Sequence, residues 1–328
     1  DWSSDVCSSD LFDTATIEEV YQAFCSALRE EVMVNWMATL ETIKQKKVRV
    51  AHYFSMEYLP GRLTNNNYAN IGATDLVREV VAKLGRNFGD LMACEPDPSL
   101  GNGGLGRLAS CFLDSLATMH YPARAYGLRY QYGIFEQEIW NGVQVERPDC
   151  WLLNTNPWEV RRDAFAVTIR FGGKPIPAKN KHGEDVFLLE ENEEVRALPH
   201  DIPIVGYAAN SEYSVLPLRL WSTKESPRNF QLQRFNAGFL GQAAENAALT
   251  DVLYPNDNTE IGKRVRAALD KVGLLVPLEA KQGDFHPVGA DRFGITARLA
   301  HGAKWRDSPR QHPPDPCFHA ALSFPGTA

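Results

Sequence analysis

Four glycines fall within six positions in Gly101-Asn102-Gly103-Gly104-Leu105-Gly106, and the run passes straight into a helical pattern of Leu105, Leu108, Phe112 and Leu116. Glycine permits φ > 0 and a close approach of backbone to ligand, so Gly101, Gly103, Gly104 and Gly106 read as a loop able to wrap an anion. The unpaired N–H groups and positive dipole end of the following helix would then face a phosphate. The same glycines fit G-x-G-x-x-G, yet a dinucleotide site needs a hydrophobic strand before the run and a ribose-binding acid about 20 residues after it. Cys94-Glu95-Pro96-Asp97-Pro98 precedes the run and Tyr121-Pro122-Ala123-Arg124 follows it, so both requirements fail. A plain glycine-rich turn that starts a helix is the remaining alternative.

The elements that would carry this loop are legible on either side. Thr16 and Glu19 have capping-box spacing, and Ile17, Val20, Tyr21, Phe24 and Leu28 mark one apolar helix face behind them. Residues 48–55 read as a buried strand ending at Met56-Glu57, and residues 74–84 as a helix with Leu76, Val80, Val81 and Leu84 inward. Phe165, Val167, Ile169 and Phe171 alternate with Ala166, Thr168 and Arg170, the pattern of a half-buried strand. Residues 215–221 predict a further strand in which Pro217 needs an edge or bulge position, and residues 235–249 a helix. On the glycine-loop helix, Cys111 reads as a small core residue.

The 328 residues are 44% hydrophobic with a formal net charge of −7, enough for one or two globular cores and unsuited to a nucleic-acid or anionic-membrane surface. A neutral polyol substrate is compatible with that balance. No run of 18 apolar residues suggests a membrane span. The six cysteines show no C-x-x-C pair or short disulfide spacing, which points to reduced thiols in a cytosol. His120, His182 and His200 lack metal-ligand spacing, so no metal is expected. Residues 1–11 have no periodicity and resemble translated vector sequence. Residues 267–328 lose both helix and strand period around Pro309-Arg310-Gln311-His312-Pro313-Pro314-Asp315-Pro316, as a frameshifted end or a disordered tail would. Residues 12–266 remain as one folded unit.

Within that unit the glycine loop is one of five ordered blocks. The others are Tyr53-Phe54-Ser55-Met56-Glu57-Tyr58-Leu59-Pro60-Gly61-Arg62, Tyr126-Gly127-Leu128-Arg129-Tyr130-Gln131-Tyr132-Gly133-Ile134-Phe135, Asn156-Pro157-Trp158-Glu159 and Leu253-Tyr254-Pro255-Asn256-Asp257-Asn258. Together they resemble the signature blocks of the α-glucan (glycogen, starch and maltodextrin) phosphorylases, in that family's order. The resemblance implies an α/β fold, the N-terminal Rossmann-like half of a two-domain GT-B-type glycosyltransferase. It implies transfer of the terminal glucosyl unit of an α-1,4-glucan to inorganic phosphate with retention, a pyridoxal 5'-phosphate cofactor, a homodimer and a cytoplasmic setting.

Residue by residue, the resemblance places Glu57 and Asn258 in the catalytic set. Gly103, Gly104, Leu105, Asp257 and Asn258 would bind substrate and phosphate, and Gly104 and Leu59 would flank the cofactor, with Tyr58 beside Leu59. Arg129 and Tyr130 read as structural groups near the cleft floor. The cationic clamps and the lysine that holds the cofactor belong to the family's C-terminal half, so this chain alone is expected to be inactive. Two other readings are a nucleotide-sugar-dependent glycosyltransferase of the same architecture, such as a glycogen synthase, and a non-catalytic fragment with a glucan-binding or dimer-forming surface.

Overall fold

The computed structural model of the chain describes residues 14–207, 213–224, 232–238 and 249–253. The expectations for residues 1–11 and 267–328, for Asp257 and Asn258, and for most of the helix predicted at 235–249 therefore lie outside the described residues. The chain opens with α1 (Ile17–Lys46). Thr16 caps it through the reciprocal bonds of a capping box: its Oγ1 accepts from the Glu19 N–H at 3.3 Å, and its own N–H donates to Glu19 Oε2 at 2.8 Å. Val20, Tyr21, Cys25, Leu28, Val32 and Trp36 are the buried stripe of this helix.

After β1 (Ala51–Phe54) come α2 (Leu63–Asn70), α3 (Thr74–Lys83), α4 (Phe88–Ala93) and α5 (Gly104–Thr118), leading to β2 (Ala123–Leu128). A hairpin of β3 (Glu136–Trp140) and β4 (Val143–Arg147) follows, then β5 (Val160–Arg161), β6 (Val167–Lys179), β7 (Asp185–Val205), β8 (Val215–Ser222) and the short α6 (Leu232–Asn236). The main sheet runs β1-β2-β8-β7-β5, with β6 paired to β7. β1, β2 and β8 are parallel, whereas β7 pairs antiparallel with β8, β5 and β6. The fold is thus a mixed α/β sheet with a parallel core, against which α1 and α5 pack.

Five local expectations change. Phe165 is not part of the predicted strand but ends a 3₁₀ turn (Asp163–Phe165) and is exposed, and β6 begins at Val167. β1 starts at Ala51 rather than residue 48. In α3 the buried residues are Val77 and Val81, while Leu76 is 64% exposed and Val80 and Leu84 are also exposed. In α5 the buried face is Gly106, Ala109, Ser110, Leu113 and Ala117, so Leu105 and Leu108 point outward and Cys111 is exposed. Small residues on the inward face let the helix axis approach the sheet more closely than a leucine stripe would. Finally, Pro217 is not at an edge: it is buried in β8 between β2 and β7, directly opposite Pro203. Two prolines can face each other only at a non-hydrogen-bonded pair, where neither N–H would have pointed at its partner. The β2 pairing begins one residue later, at Leu218, so no ladder bond is lost there either.

Candidate functional site

Beyond β1 the chain lies alongside the glycine loop and is stitched to both of its ends. The Tyr58 N–H donates to Leu100 O at 3.0 Å and the Leu59 N–H to Gly106 O at 3.1 Å. Between those two bonds, Glu57 Oε2 accepts the Asn102 N–H at 3.0 Å. Glu57 is only 6% exposed, whereas residues 102–105 are exposed above it. α5 starts at Gly104 with Gly103 as its N-cap, and no side chain caps the free N–H groups of the first turn. These donors face solvent at the positive end of a 15-residue helix.

None of the four loop glycines has positive φ, contrary to the sequence expectation, and Gly103 is extended at φ −172°. Close packing demands glycine at two of the four positions. A Cβ at Gly101 would stand 2.9 Å from Leu59 Cγ and 3.3 Å from Glu57 Cβ, and one at Gly106 would stand 3.1 Å from Glu57 Cβ. Those two positions are empty so that the 57–59 segment can pass beneath the loop. At Gly103 and Gly104, by contrast, a Cβ would meet nothing within 4 Å. The space directly over the helix N-terminus is therefore open to solvent.

Hydrogen bonds tie the sequence blocks to one another. The Ile134 N–H donates to Ser99 O at 3.1 Å, just ahead of the loop, and Tyr130 Oη donates to Met56 O at 3.1 Å. Trp158 Nε1 donates to Thr64 Oγ1 at 2.9 Å, and Arg129 Nε to Glu159 Oε2 at 2.6 Å. The Gln131 and Tyr132 N–H groups donate to Thr250 O and Asp251 O, and Leu253 nearby in sequence is buried. The family model of the carbohydrate phosphorylases matches residues 81–270 of this chain, spanning four of these five blocks. The chain belongs to the carbohydrate phosphorylase family. It is 42% identical over 258 residues to the glycogen phosphorylase of Chlamydia pneumoniae, an alignment covering 77% of this chain and 31% of that relative. Against the glycogen phosphorylase of a Synechocystis species it is 40% identical over 258 residues, with 77% and 30% covered. Against the chloroplastic L isozyme of α-1,4 glucan phosphorylase from Vicia faba it is 40% identical over 259 residues, with 76% and 25% covered. The chain thus spans less than a third of the length of these relatives.

Within this phosphorylase chain, the predicted residues Glu57, Leu59, Gly103, Gly104 and Leu105 come together in one place. Leu59 is half-buried, its side chain lying under Gly101 and Gly106. Tyr58 is 1% exposed and its hydroxyl donates to Tyr126 O at 3.1 Å, so it belongs to the core and cannot line a cofactor. Asn102, which sequence reading passed over, proves to be the loop residue that Glu57 holds. Its contribution is a backbone N–H, for which side-chain identity gives no signal.

Sequence reading also gave Glu159 and His200 no role, and they form a buried ionic cluster with Arg129. His200 Nδ1 donates to Glu159 Oε1 at 2.7 Å, and the side chains of Arg129, Glu159 and His200 are 7%, 11% and 1% exposed. Burial by itself raises the Glu159 carboxyl, but the hydrogen bonds from His200 and Arg129, with their charges, outweigh it and hold the group below the ordinary carboxylate range. With the folded pKa below the unfolded one, this cluster's stabilisation is complete above pH about 4.3, the unfolded value, and disappears as pH falls through the folded value. Melting temperatures taken from pH 7 down to pH 3 should therefore fall more steeply for the parent than for Glu159→Gln, whose side chain cannot titrate. Parallel curves would show that Glu159 contributes nothing to acid lability. Arg129 and Glu159 also floor a pocket of about 270 Å³ shared with Asn154, Thr155, Asn156 and Arg161, and no glycine-loop residue lines it. Among the described residues no group of three or more His, Cys, Asp or Glu side chains could hold a metal ion, and no helix is long and apolar enough to cross a membrane.

Proposed function

We propose that this chain is the N-terminal portion of an α-1,4-glucan phosphorylase, and that the N–H groups of Gly103, Gly104 and Leu105 form the cradle for a reacting phosphate. The observation that carries this reading is the open space over Gly103 and Gly104, where a Cβ would find no neighbour within 4 Å, at the uncapped start of α5 above buried Glu57. In the reaction an oxygen of inorganic phosphate bonds to C1 of the terminal glucosyl unit, the C1–O4 bond breaks, and O4 of the shortened glucan takes up a proton. Neutral donors fixed in advance are what such a site needs, because they stabilise phosphate charge without reorganising during the step. Asp257 and Asn258 are assigned to sugar contacts, and Glu57 to the floor beneath the phosphate.

The donor set fits a phosphate group, and half-buried Leu59 fits an apolar flank for pyridoxal 5'-phosphate. That cofactor, when bound, supplies a phosphate group as proton-transfer partner of the substrate phosphate. The residues described here bind and orient phosphate, and the fold assigned to the complete protein is a two-domain GT-B plan whose second half faces this one across a cleft. Phosphate dependence separates this reading from a nucleotide-sugar-dependent synthase, and membership of the phosphorylase family favours it. A cytoplasmic homodimer acting on glycogen or maltodextrin completes the reading.

The test is production of glucose 1-phosphate from glycogen and inorganic phosphate. A full-length protein carrying this sequence is expected to produce it, and the 328-residue chain alone is expected not to, since it spans 31% or less of its relatives. Phosphate-dependent glucose 1-phosphate release by the 328-residue chain would overturn the second expectation. A full-length protein that consumes a nucleotide sugar instead would overturn the first.

A further inference from the structure

We propose that Glu57 is the positioning residue of the phosphate cradle: by accepting the Asn102 N–H, its buried carboxylate fixes the loop that aims the Gly103, Gly104 and Leu105 donors. This rests on the phosphate reading of those donors. The backbone of the 57–59 segment holds the loop only at Leu100 and Gly106, through the bonds at 3.0 and 3.1 Å. Residues 101–105 span the interval, and within it the Glu57 Oε2 bond holds Asn102, the residue directly before Gly103, at 3.0 Å. The space that Gly101 and Gly106 leave free is the space that the Glu57 side chain passes through, its Cβ 3.3 and 3.1 Å from where theirs would stand. Any larger residue at either position would push this carboxylate off its acceptor geometry.

The same geometry separates positioning from proton transfer. A group that exchanges a proton with a glucan or phosphate must reach it, but Glu57 is 6% exposed and lies beneath loop residues that are themselves exposed. Its carboxylate is turned toward a backbone N–H of the loop. A charge-assisted bond of this kind is roughly twice as strong as a neutral one, which suits a residue that must hold a glycine-rich loop in a single shape. Lacking side chains, Gly103 and Gly104 have no means of restraining themselves, so the restraint has to come from a neighbour.

Two conservative variants separate reach from charge. Glu57→Gln keeps an oxygen at the same distance and loses the charge, whereas Glu57→Asp keeps the charge and is one methylene too short to hold Asn102. The 328-residue chain, labelled with ¹⁵N, is titrated with inorganic phosphate against sodium chloride of equal ionic strength. Shifts of the Gly103, Gly104 and Leu105 amides report binding, and hydrogen exchange at Asn102 reports the loop. The glutamine variant is expected to bind phosphate within about threefold of the parent with Asn102 still protected. The aspartate variant is expected to lose that protection and bind about tenfold more weakly, the scale of one lost hydrogen bond to a charged group. If the parent responds to phosphate and the aspartate variant responds equally, or if the glutamine variant is the weaker of the two, the positioning role is refuted and the phosphate cradle stands. Should the parent amides show no phosphate response beyond the chloride control, the cradle itself is refuted, and the positioning role with it.

Discussion

Gly104→Val, made in a full-length protein carrying this sequence, is expected to lower kcat for phosphorolysis by at least about a hundredfold, the scale of one lost preorganised donor. Its melting temperature is expected to stay where it was. Gly104 is the first residue of α5 and is not among the positive-φ glycines, so valine meets no backbone strain there. Nor does it meet a clash, because nothing stands within 4 Å of its Cβ. The branched side chain instead fills the space over the helix N-terminus and keeps phosphate away from the N–H groups. Gly101→Val is the matching control, since its Cβ would lie 2.9 Å from Leu59 Cγ and must displace the segment that carries Glu57. That variant should lose stability as well as activity. Near-normal turnover in Gly104→Val would reduce the loop to a turn, and a stability loss equal to that of Gly101→Val would mean that the open space is not open.

Asp201→Ala is expected to destabilise the fold by about 2–3 kcal/mol, the scale of lost hydrogen bonds between charged groups, since the two guanidinium groups left without their partner are partly exposed, 30% at Arg162 and 17% at Arg219. For a domain of this size that lowers the melting temperature by on the order of 10 °C. Asp201 lies in β7, 3% exposed, and takes a bidentate pair from Arg219 at 2.7 and 3.0 Å together with a bond from Arg162 Nε at 3.2 Å. Both guanidinium groups also sit over aromatic rings, Arg162 over Trp36 at 5.6 Å and Arg219 over Phe165 at 5.5 Å. Those contacts contribute about 0.5–2 kcal/mol each and hold the cations in place, so they soften the loss without cancelling it. Asp201→Asn, which keeps one acceptor oxygen, should fall between alanine and the parent. Thermal unfolding of the three proteins decides it: a drop below about 2 °C for alanine, less than one kcal/mol, would mean that water replaces the carboxylate at this site.

The sequence by itself determined the family, the existence of most elements and the place of the glycine loop. Those features are local: Thr16 and Glu19 are three residues apart and satisfy each other within one turn, and the ordered blocks are read one after another along the chain. Which side of a helix faces inward was decided elsewhere. α5 carries Leu105, Leu108, Ala109, Phe112, Leu113, Leu116 and Ala117, apolar on more than one side, so periodicity offers two stripes and cannot choose between them. The sheet chose the stripe with Gly106, Ala109 and Ser110, whose small side chains allow the closer approach. Tertiary contact also decided why two of the loop glycines are glycines, since Gly101 and Gly106 yield to Glu57 and Leu59, more than 40 residues away. The same holds for Arg129, Glu159 and His200, which are brought into hydrogen-bond contact across 30 and 41 residues of chain. A pattern along the sequence records what each residue is; how near its partner comes is fixed only when distant segments pack, because burial and close approach depend on both at once.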